Sequence, residues 1–237
     1  MCTVTFYKSA SKTIVTSNRD EHISRPAALF PTLHHYQNKA VYFPQDPLAQ
    51  GTWFAVDTSG RTFVLLNGAD KKHHHQPPYK RSRGLILLDL LSADELIETW
   101  GQINLTSIEP FTLIVFTGDE LHQLRWDEKE KSYLQLDTAI PHIWSSATLY
   151  EKAAIEKRKI WFNEFLESTT GTIDPDGLLN FHTSTEVKDK ENGLIINRNQ
   201  QLLTKNITQC VIEHDRFTLT HIDLLQNKQL QLTEIIK

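Results

Sequence analysis

Cys2 and the run Asn18-Arg19-Asp20-Glu21 are the residues of this chain whose types and spacing fit covalent chemistry. Removal of Met1, which a short second side chain permits, would leave Cys2 with an α-amine beside its thiol. The thiolate is the nucleophile, and a free cysteine titrates near ~8.5. An α-amine titrates at about 7.7–8.0, so part of it is free base near neutral pH. Such an amine can take the thiol proton, through a water, and later return one to a leaving amine. Arg19 would favour the thiolate by its charge. Asp20 would hold the α-ammonium or orient the amine by hydrogen bonding. The competing reading makes Cys2 an inert start of an edge strand and the tetrad a solvated turn.

A hairpin is what brings these groups together. Val4, Phe6 and Tyr7 precede Ser9-Ala10-Ser11-Lys12, and Ile14 and Val15 follow. Two β-rich runs around a short segment of small residues favour a tight turn. Centring it between Ala10 and Ser11 sets Tyr7 against Ile14, Phe6 against Val15 and Cys2 against Arg19. A shift of one brings Asn18 or Asp20 opposite Cys2 instead. Directly opposed residues have Cβ atoms roughly 4.5–5.5 Å apart.

The remaining pattern is strands, then helices, then strands, which suits an α+β sandwich. A second hairpin is expected over 52–67, around Thr58-Ser59-Gly60-Arg61. The polar stretch 70–83 reads as an exposed loop and 84–91 as an apolar helix. Ser92-Ala93-Asp94-Glu95 has the form of a capping box opening a helix to about Trp100. Three strands follow as a meander over 113–136. The periodicity predicts a long helix over 148–166, with Leu149, Ala153, Ile160, Trp161 and Phe165 as its buried stripe and Ser145 or Ser146 as its cap. A short helix is expected over 176–182, a charged turn over 188–192, and a closing hairpin around His214-Asp215. No internal repeat or linker divides the chain, so one domain over 1–237 is expected.

Composition narrows the function classes. The 237 residues suffice for one sizeable core, with 39% hydrophobic and 23% charged residues. Lys and Arg number 25 against 29 Asp and Glu, a net charge of −4, so no basic field for nucleic acid exists. The run Leu85-Ile86-Leu87-Leu88 stops at Asp89, too short to span a membrane. No basic segment followed by an apolar run opens the chain, and Cys2 and Cys210 lie far apart. Both point to a cytoplasmic protein without disulfides. The glycosylation patterns at Asn104 and Asn206 are read as chance. His73-His74-His75 sits in a polar loop and reads as a solvated tract, because adjacent histidines point in different directions. It remains the one candidate for metal or haem, with His34-His35 weaker. No paired-cysteine or His-Glu-x-x-His spacing occurs, so neither metal nor cofactor is expected. Trp53 and Trp144 are read as core, or as walls of a substrate pocket next to Cys2.

The chain also resembles a known family. Met1-Cys2, the Asn18-Arg19-Asp20-Glu21 tetrad and Arg25-Pro26-Ala27 resemble the NRDE family, also called the transport and Golgi organisation 2 family. Gly51-Thr52-Trp53-Phe54-Ala55-Val56, Gly60-Arg61 and Leu65-Leu66-Asn67 resemble its second block, and Ser82-Arg83-Gly84 its third. Weaker matches follow at Ile143–Tyr150 and Ile207–Cys210. That family is similar to N-terminal nucleophile hydrolases of the cysteine branch, with bile salt hydrolases, penicillin V acylases and acid ceramidase. The resemblance implies a four-layer αββα sandwich of the N-terminal nucleophile hydrolase type and hydrolysis of non-peptide amide bonds. It implies catalytic roles for Cys2, Arg19 and Asp20, with Glu21 the alternative to Asp20. Ser146 stands where the branch has its oxyanion-hole asparagine, and Asn67 is a second candidate donor.

The expectation is therefore an N-terminal cysteine amidohydrolase acting on a small or lipid-like molecule. Its catalytic residues would be Cys2, Arg19, Asp20, Asn67 and Ser146, with Asn18, Glu21, Trp53 and Trp144 near the substrate. The alternative is a non-catalytic carrier of haem, lipid or another hydrophobic ligand in the same cleft. No nucleic-acid partner and no membrane span is expected, and nothing in the sequence sets the oligomeric state.

Overall fold

The computed structural model describes residues 3–237. The strands β1 (Thr3–Lys8) and β2 (Lys12–His22) form the opening hairpin. A meander follows through β3 (Leu29–Tyr36), β4 (Lys39–Gln45), β5 (Phe54–Asp57) and β6 (Thr62–Asn67), and resumes, after the helices α1 (Arg83–Ser92) and α2 (Leu96–Gln102), in β7 (Phe111–Phe116), β8 (Leu121–Trp126) and β9 (Lys131–Leu136). The chain then passes through β10 (His142–Ser145), α3 (Lys152–Ser168), α4 (Pro175–Ser184), β11 (Asn197–Arg198), β12 (Leu202–Glu213), β13 (Arg216–Asp223) and β14 (Lys228–Ile235). One sheet has the order β3-β4-β5-β6-β7-β8-β9 and the other β10-β1-β2-β12-β13-β14, with β11 paired to β12.

The two sheets face each other over the main core. Val4, Phe6, Val15, Cys210 and Phe217 of one meet Phe54, Val56, Phe63 and Leu113 of the other. The helix α1 packs outside the meander sheet, against β6. On the opposite side α3 and α4 cover the first sheet, where Ile14, Phe162, Leu178 and Phe181 build a second core. Four layers result, an αββα sandwich. No helix among the described residues is long and apolar enough to cross a membrane.

The hairpin register is the expected one. Thr3 pairs with Asn18, Phe6 with Val15 and Tyr7 with Ile14. The Cys2–Arg19 pair that continues this register lies outside the described residues. Side chains alternate across a strand, so Val15 enters the core between the sheets while Ile14 faces the helices. Residues of β2 further along divide in the same way.

Two expected caps do not form. Ser92 is the last residue of α1, and its hydroxyl donates to the Tyr36 carbonyl. The next helix starts only at Leu96, with Glu95 at its N-cap and no side-chain capping bond. The long helix begins at Lys152 rather than near 148, with Glu151 at its N-cap. Neither Ser145 nor Ser146 caps it. Ser145 ends β10, and Ser146 bonds elsewhere. The buried stripe of α3 is displaced in part: Trp161 and Phe165 pack half-buried against the second core as expected, but Ala154, Arg158 and Phe162 are the buried residues, while Ala153 and Ile160 are exposed. A fully buried arginine on the inner face causes the shift. Its guanidinium lies 3.5 Å from the Tyr150 ring and donates to Thr3 Oγ1 at 2.5 Å and the Gly193 carbonyl at 2.6 Å. A pattern that counts arginine as polar rotates the helix the wrong way.

Candidate functional site

The last turns of β2 send Arg19 and Glu21 to the inner face and Asn18 and Asp20 to the outer one. On the inner face the Arg19 guanidinium lies 4.3 Å from the Trp53 ring. Its Nη2 donates to Asp46 Oδ2 at 3.0 Å and to Glu21 Oε2 at 3.3 Å. Arg19 is 3% exposed and belongs to the first sheet, whereas Asp46 follows β4 of the second. The pair therefore ties the two sheets together at one edge of the sandwich.

Asp46 is held on both oxygens. Oδ1 accepts the backbone N–H groups of Leu48 and Ala49, each at 3.0 Å, so the Asp46-Pro47 turn closes on its own side chain. Oδ2 accepts Nε of Arg25 at 2.9 Å besides Arg19. Burial pushes this carboxyl up, but the Ala49 N–H and the guanidinium groups of Arg25 and Arg19 outweigh it and hold it below the usual carboxylate range.

A cavity of about 80 Å³ opens beside this cluster, lined by Arg19, Glu21, Asp46, Trp53, Asn67 and Arg83 among others. Its floor depends on two glycines. A Cβ on Gly51 would lie 2.7 Å from the Gly84 carbonyl carbon, and one on Gly84 would lie 2.5 Å from the Thr52 carbonyl oxygen. The segment before β5 and the first turn of α1 thus meet backbone to backbone. Ser82 caps that turn, accepting from the Gly84 N–H. Two buried polar atoms near Arg19 have no partner among the described residues: Nε1 of Trp53 and Oδ1 of Asn206, the residue paired with Arg19 across the ladder. Unsatisfied buried groups are rare in folded proteins.

The outer face carries a second polar network. Asp20 Oδ2 accepts from the Tyr150 hydroxyl at 2.7 Å and Oδ1 from the Thr204 hydroxyl at 2.6 Å. The β2–β12 register shifts between Thr204 and Asn206, so Lys205 is an extra residue opposite the tetrad. Its Nζ donates to the Arg25 carbonyl. Burial, then the charge of Arg19, holds the Lys205 ammonium below its ordinary range. Asn18 is fully buried, and its Nδ2 donates to the carbonyls of Leu194 at 2.7 Å and His182 at 3.2 Å. Its Oδ1 then accepts from Nδ1 of His182 at 2.6 Å, leaving Nε2 to accept from the Thr5 hydroxyl at 2.8 Å. Burial and the nearby Arg158 charge lower the His182 imidazole to about 3, so it is neutral.

The candidate residues thus separate. Arg19, Glu21, Trp53 and Asn67 share the cavity. Asp20 and Asn18 sit on the other side of β2. The Ser146 hydroxyl donates to the Asn67 carbonyl at 2.7 Å, fixing that residue from behind. Trp144 pairs with Val4 and lines a different cavity of about 310 Å³. Cys2 lies outside the described residues. Cys210 is buried, and burial pushes its thiol up to about 12. Asp46, Tyr150, Thr204 and Lys205 bear on the site without any local sequence signal, although the Asp-Pro turn marks the place of Asp46.

A family model for transport and Golgi organisation 2 matches residues 1–233. The chain belongs to that family. Curated proteins include no match to this family member. Among solved structures it is similar to the Caenorhabditis elegans ortholog of N-acylethanolamine-hydrolyzing acid amidase, at TM-score 0.62 and 12% identity over 88% of this chain and 92% of that one. A variant of the conjugated bile acid hydrolase from Clostridium perfringens aligns at TM-score 0.57 and 10% identity, over 98% of this chain and 92% of that one. A second variant of the same hydrolase gives 0.52 and 8%, over 98% and 96%. These likenesses establish an N-terminal nucleophile hydrolase-like fold for the family member.

Proposed function

We propose that this protein is an N-terminal cysteine amidohydrolase acting on a carbon–nitrogen amide bond of a small molecule. The observation that supports it most is Arg19, fixed between Asp46 and Trp53 on the wall of a polar cavity. The described ladder ends at Thr3–Asn18, one position short of the Cys2–Arg19 pair that the sequence expects. The named structural neighbours are an N-acylethanolamine-hydrolyzing acid amidase ortholog and a conjugated bile acid hydrolase, which supports the reading through the shared fold.

In the proposed reaction the Cys2 thiol gives its proton to the freed α-amine and its sulfur bonds to the amide carbonyl carbon. The carbon–nitrogen bond breaks, and the α-ammonium returns the proton to the leaving amine. Water, deprotonated by the same amine, then hydrolyses the thioester and regenerates the thiol. Arg19 favours the thiolate. Asn67 is the side chain of the cavity suited to donate to the oxyanion, and Ser146 positions it. Removing one such donor costs about 10²–10³ in turnover. Asp20 braces the strand that carries Arg19 through Tyr150 and Thr204.

The charged lining argues for a polar scissile group and against an apolar cargo in this cavity. Replacement of Cys2 by Ala separates the enzyme from the carrier. Release of amine from a panel of N-acyl amino acids and N-acylethanolamines, lost in Cys2→Ala while the fold is retained, supports the proposal. Equal behaviour of the two proteins contradicts it.

A further inference from the structure

The loop that follows β6 carries a second cluster of chemistry, which the proposed hydrolysis does not use. Nε2 of His73 and Nδ1 of His75 approach the same oxygen of Glu109, Oε1, at 3.2 and 3.3 Å. All three ligating atoms lie within 4.8 Å of one another. His74 between them is exposed. Alternate residues of the extended segment thus converge, while the middle one does not take part.

Both distances are long for charge-assisted hydrogen bonds, which run about 2.7–2.9 Å. They match the edge of a tetrahedron, which is about 3.3 Å for the roughly 2.0–2.1 Å bonds that zinc makes to nitrogen and oxygen. Nδ1 of His73 is buried without a partner among the described residues, so no described neighbour at that nitrogen forces the proton onto Nε2. The carboxylate is oriented from behind: Arg83 Nη2 forms an ion pair with Glu109 Oε2 at 2.9 Å, and its Nη1 donates to the Pro110 carbonyl at 3.1 Å. Such support on the far oxygen is the usual outer shell of a metal-ligating carboxylate. The His73 side chain is 9% exposed and that of Glu109 17%, whereas His75 is 64% exposed and closes the site from the solvent side.

The geometry points to a divalent transition-metal site, zinc by its chemistry, made by His73, His75 and Glu109. Two imidazoles and one carboxylate suit zinc or a neighbouring first-row ion, and three protein ligands leave one position for water. The site joins the 69–82 loop to the start of β7. Arg83 connects it to the cavity of the candidate active site, so an ion here would steady that wall.

Zinc titration by calorimetry, on the full chain without a histidine tag, tests this. One zinc per chain is expected. His73→Ala and His75→Ala should each weaken it at least tenfold, and His74→Ala should leave it unchanged. Glu109→Gln should also weaken it; if that variant fails to fold, the two histidine variants decide. The proposal is overturned by no saturable zinc binding to the wild type. It is equally overturned by binding that survives in the His73→Ala/His75→Ala double variant, or that His74→Ala abolishes as completely as the others.

Discussion

Arg19 and Asp46 meet at 3.0 Å between residues of opposite sheets, both nearly excluded from solvent. Removing one partner of a buried pair strands the other charge, which costs about 3–5 kcal/mol. Asp46 also holds Arg25 and two backbone amides. Asp46→Ala should therefore lower the free energy of unfolding by about that amount in urea titrations. Arg19→Met, which removes the other charge but keeps apolar contact with Trp53, should cost less. The reverse order would mean that Asp46 is not the hub of the cluster.

Two of the buried histidines give a pH signature. His182 is lowered to about 3, by burial and then by the Arg158 charge, and His221 to about 4, by burial and then by the Arg19 charge, both from 6.5. In the unfolded chain both bind protons below about 6.5, whereas in the folded chain neither does until far lower. Protons thus favour the unfolded state, and this stability is complete above pH 6.5 and lost as pH falls toward 4. The slope is about 1.4 kcal/mol per pH unit for each group. Urea titrations between pH 7 and 4.5 should show the decline, and His182→Gln should reduce it. A flat profile would refute the buried, neutral assignment.

The contact between Gly51 and Gly84 is a further point of failure. Gly84→Ala should destabilise by about 1–3 kcal/mol, since a Cβ 2.5 Å from the Thr52 carbonyl oxygen must push backbone apart. Gly101 is the control. It lies in α2 with nothing within 4 Å of its Cβ position. Gly101→Ala should stabilise by about 0.5–1 kcal/mol. Thermal melts of the two variants should move in opposite directions.

Arg158 anchors the start of β1 through Thr3 and stacks on Tyr150, which itself bonds Asp20. Arg158→Lys keeps the charge but loses the planar fork. Hydrogen exchange of the β1 amides should accelerate in that variant, while amides of the meander strands β7 and β8 keep their protection. Uniform acceleration throughout would indicate global loss of stability instead.

The parts legible in the sequence are those set by local rules. The hairpin register of β1 and β2 follows from a short turn and a period of two, and the meander from Phe111 to Leu136 from alternating strands and polar turns. The family resemblance supplied the order of the layers, which no local rule contains. What local rules misjudge depends on distant partners. Ser92 has the form of a cap, yet it closes the preceding helix and bonds Tyr36. Residues 148–151 look helical and Ser146 looks like their cap, yet Ser146 is taken up by Asn67 and Tyr150 by Asp20. Arg158 looks like a surface residue and is buried by carbonyls that come from residues 192 and 193. At the candidate site Arg19 was legible from its place after the hairpin. Asp46 was not, because its value to Arg19 exists only once two sheets are stacked.

The central claim is that Cys2 is a free N-terminal nucleophile activated beside Arg19. Intact-mass and peptide-mapping spectrometry, after brief exposure to a thiol-directed electrophile, addresses it most directly. The account predicts a chain lacking Met1 that takes up one adduct, on Cys2, with Cys210 untouched because its thiol is buried and pushed up to about 12. A chain that keeps Met1, or one whose Cys2 reacts no faster than an ordinary exposed cysteine, would contradict it.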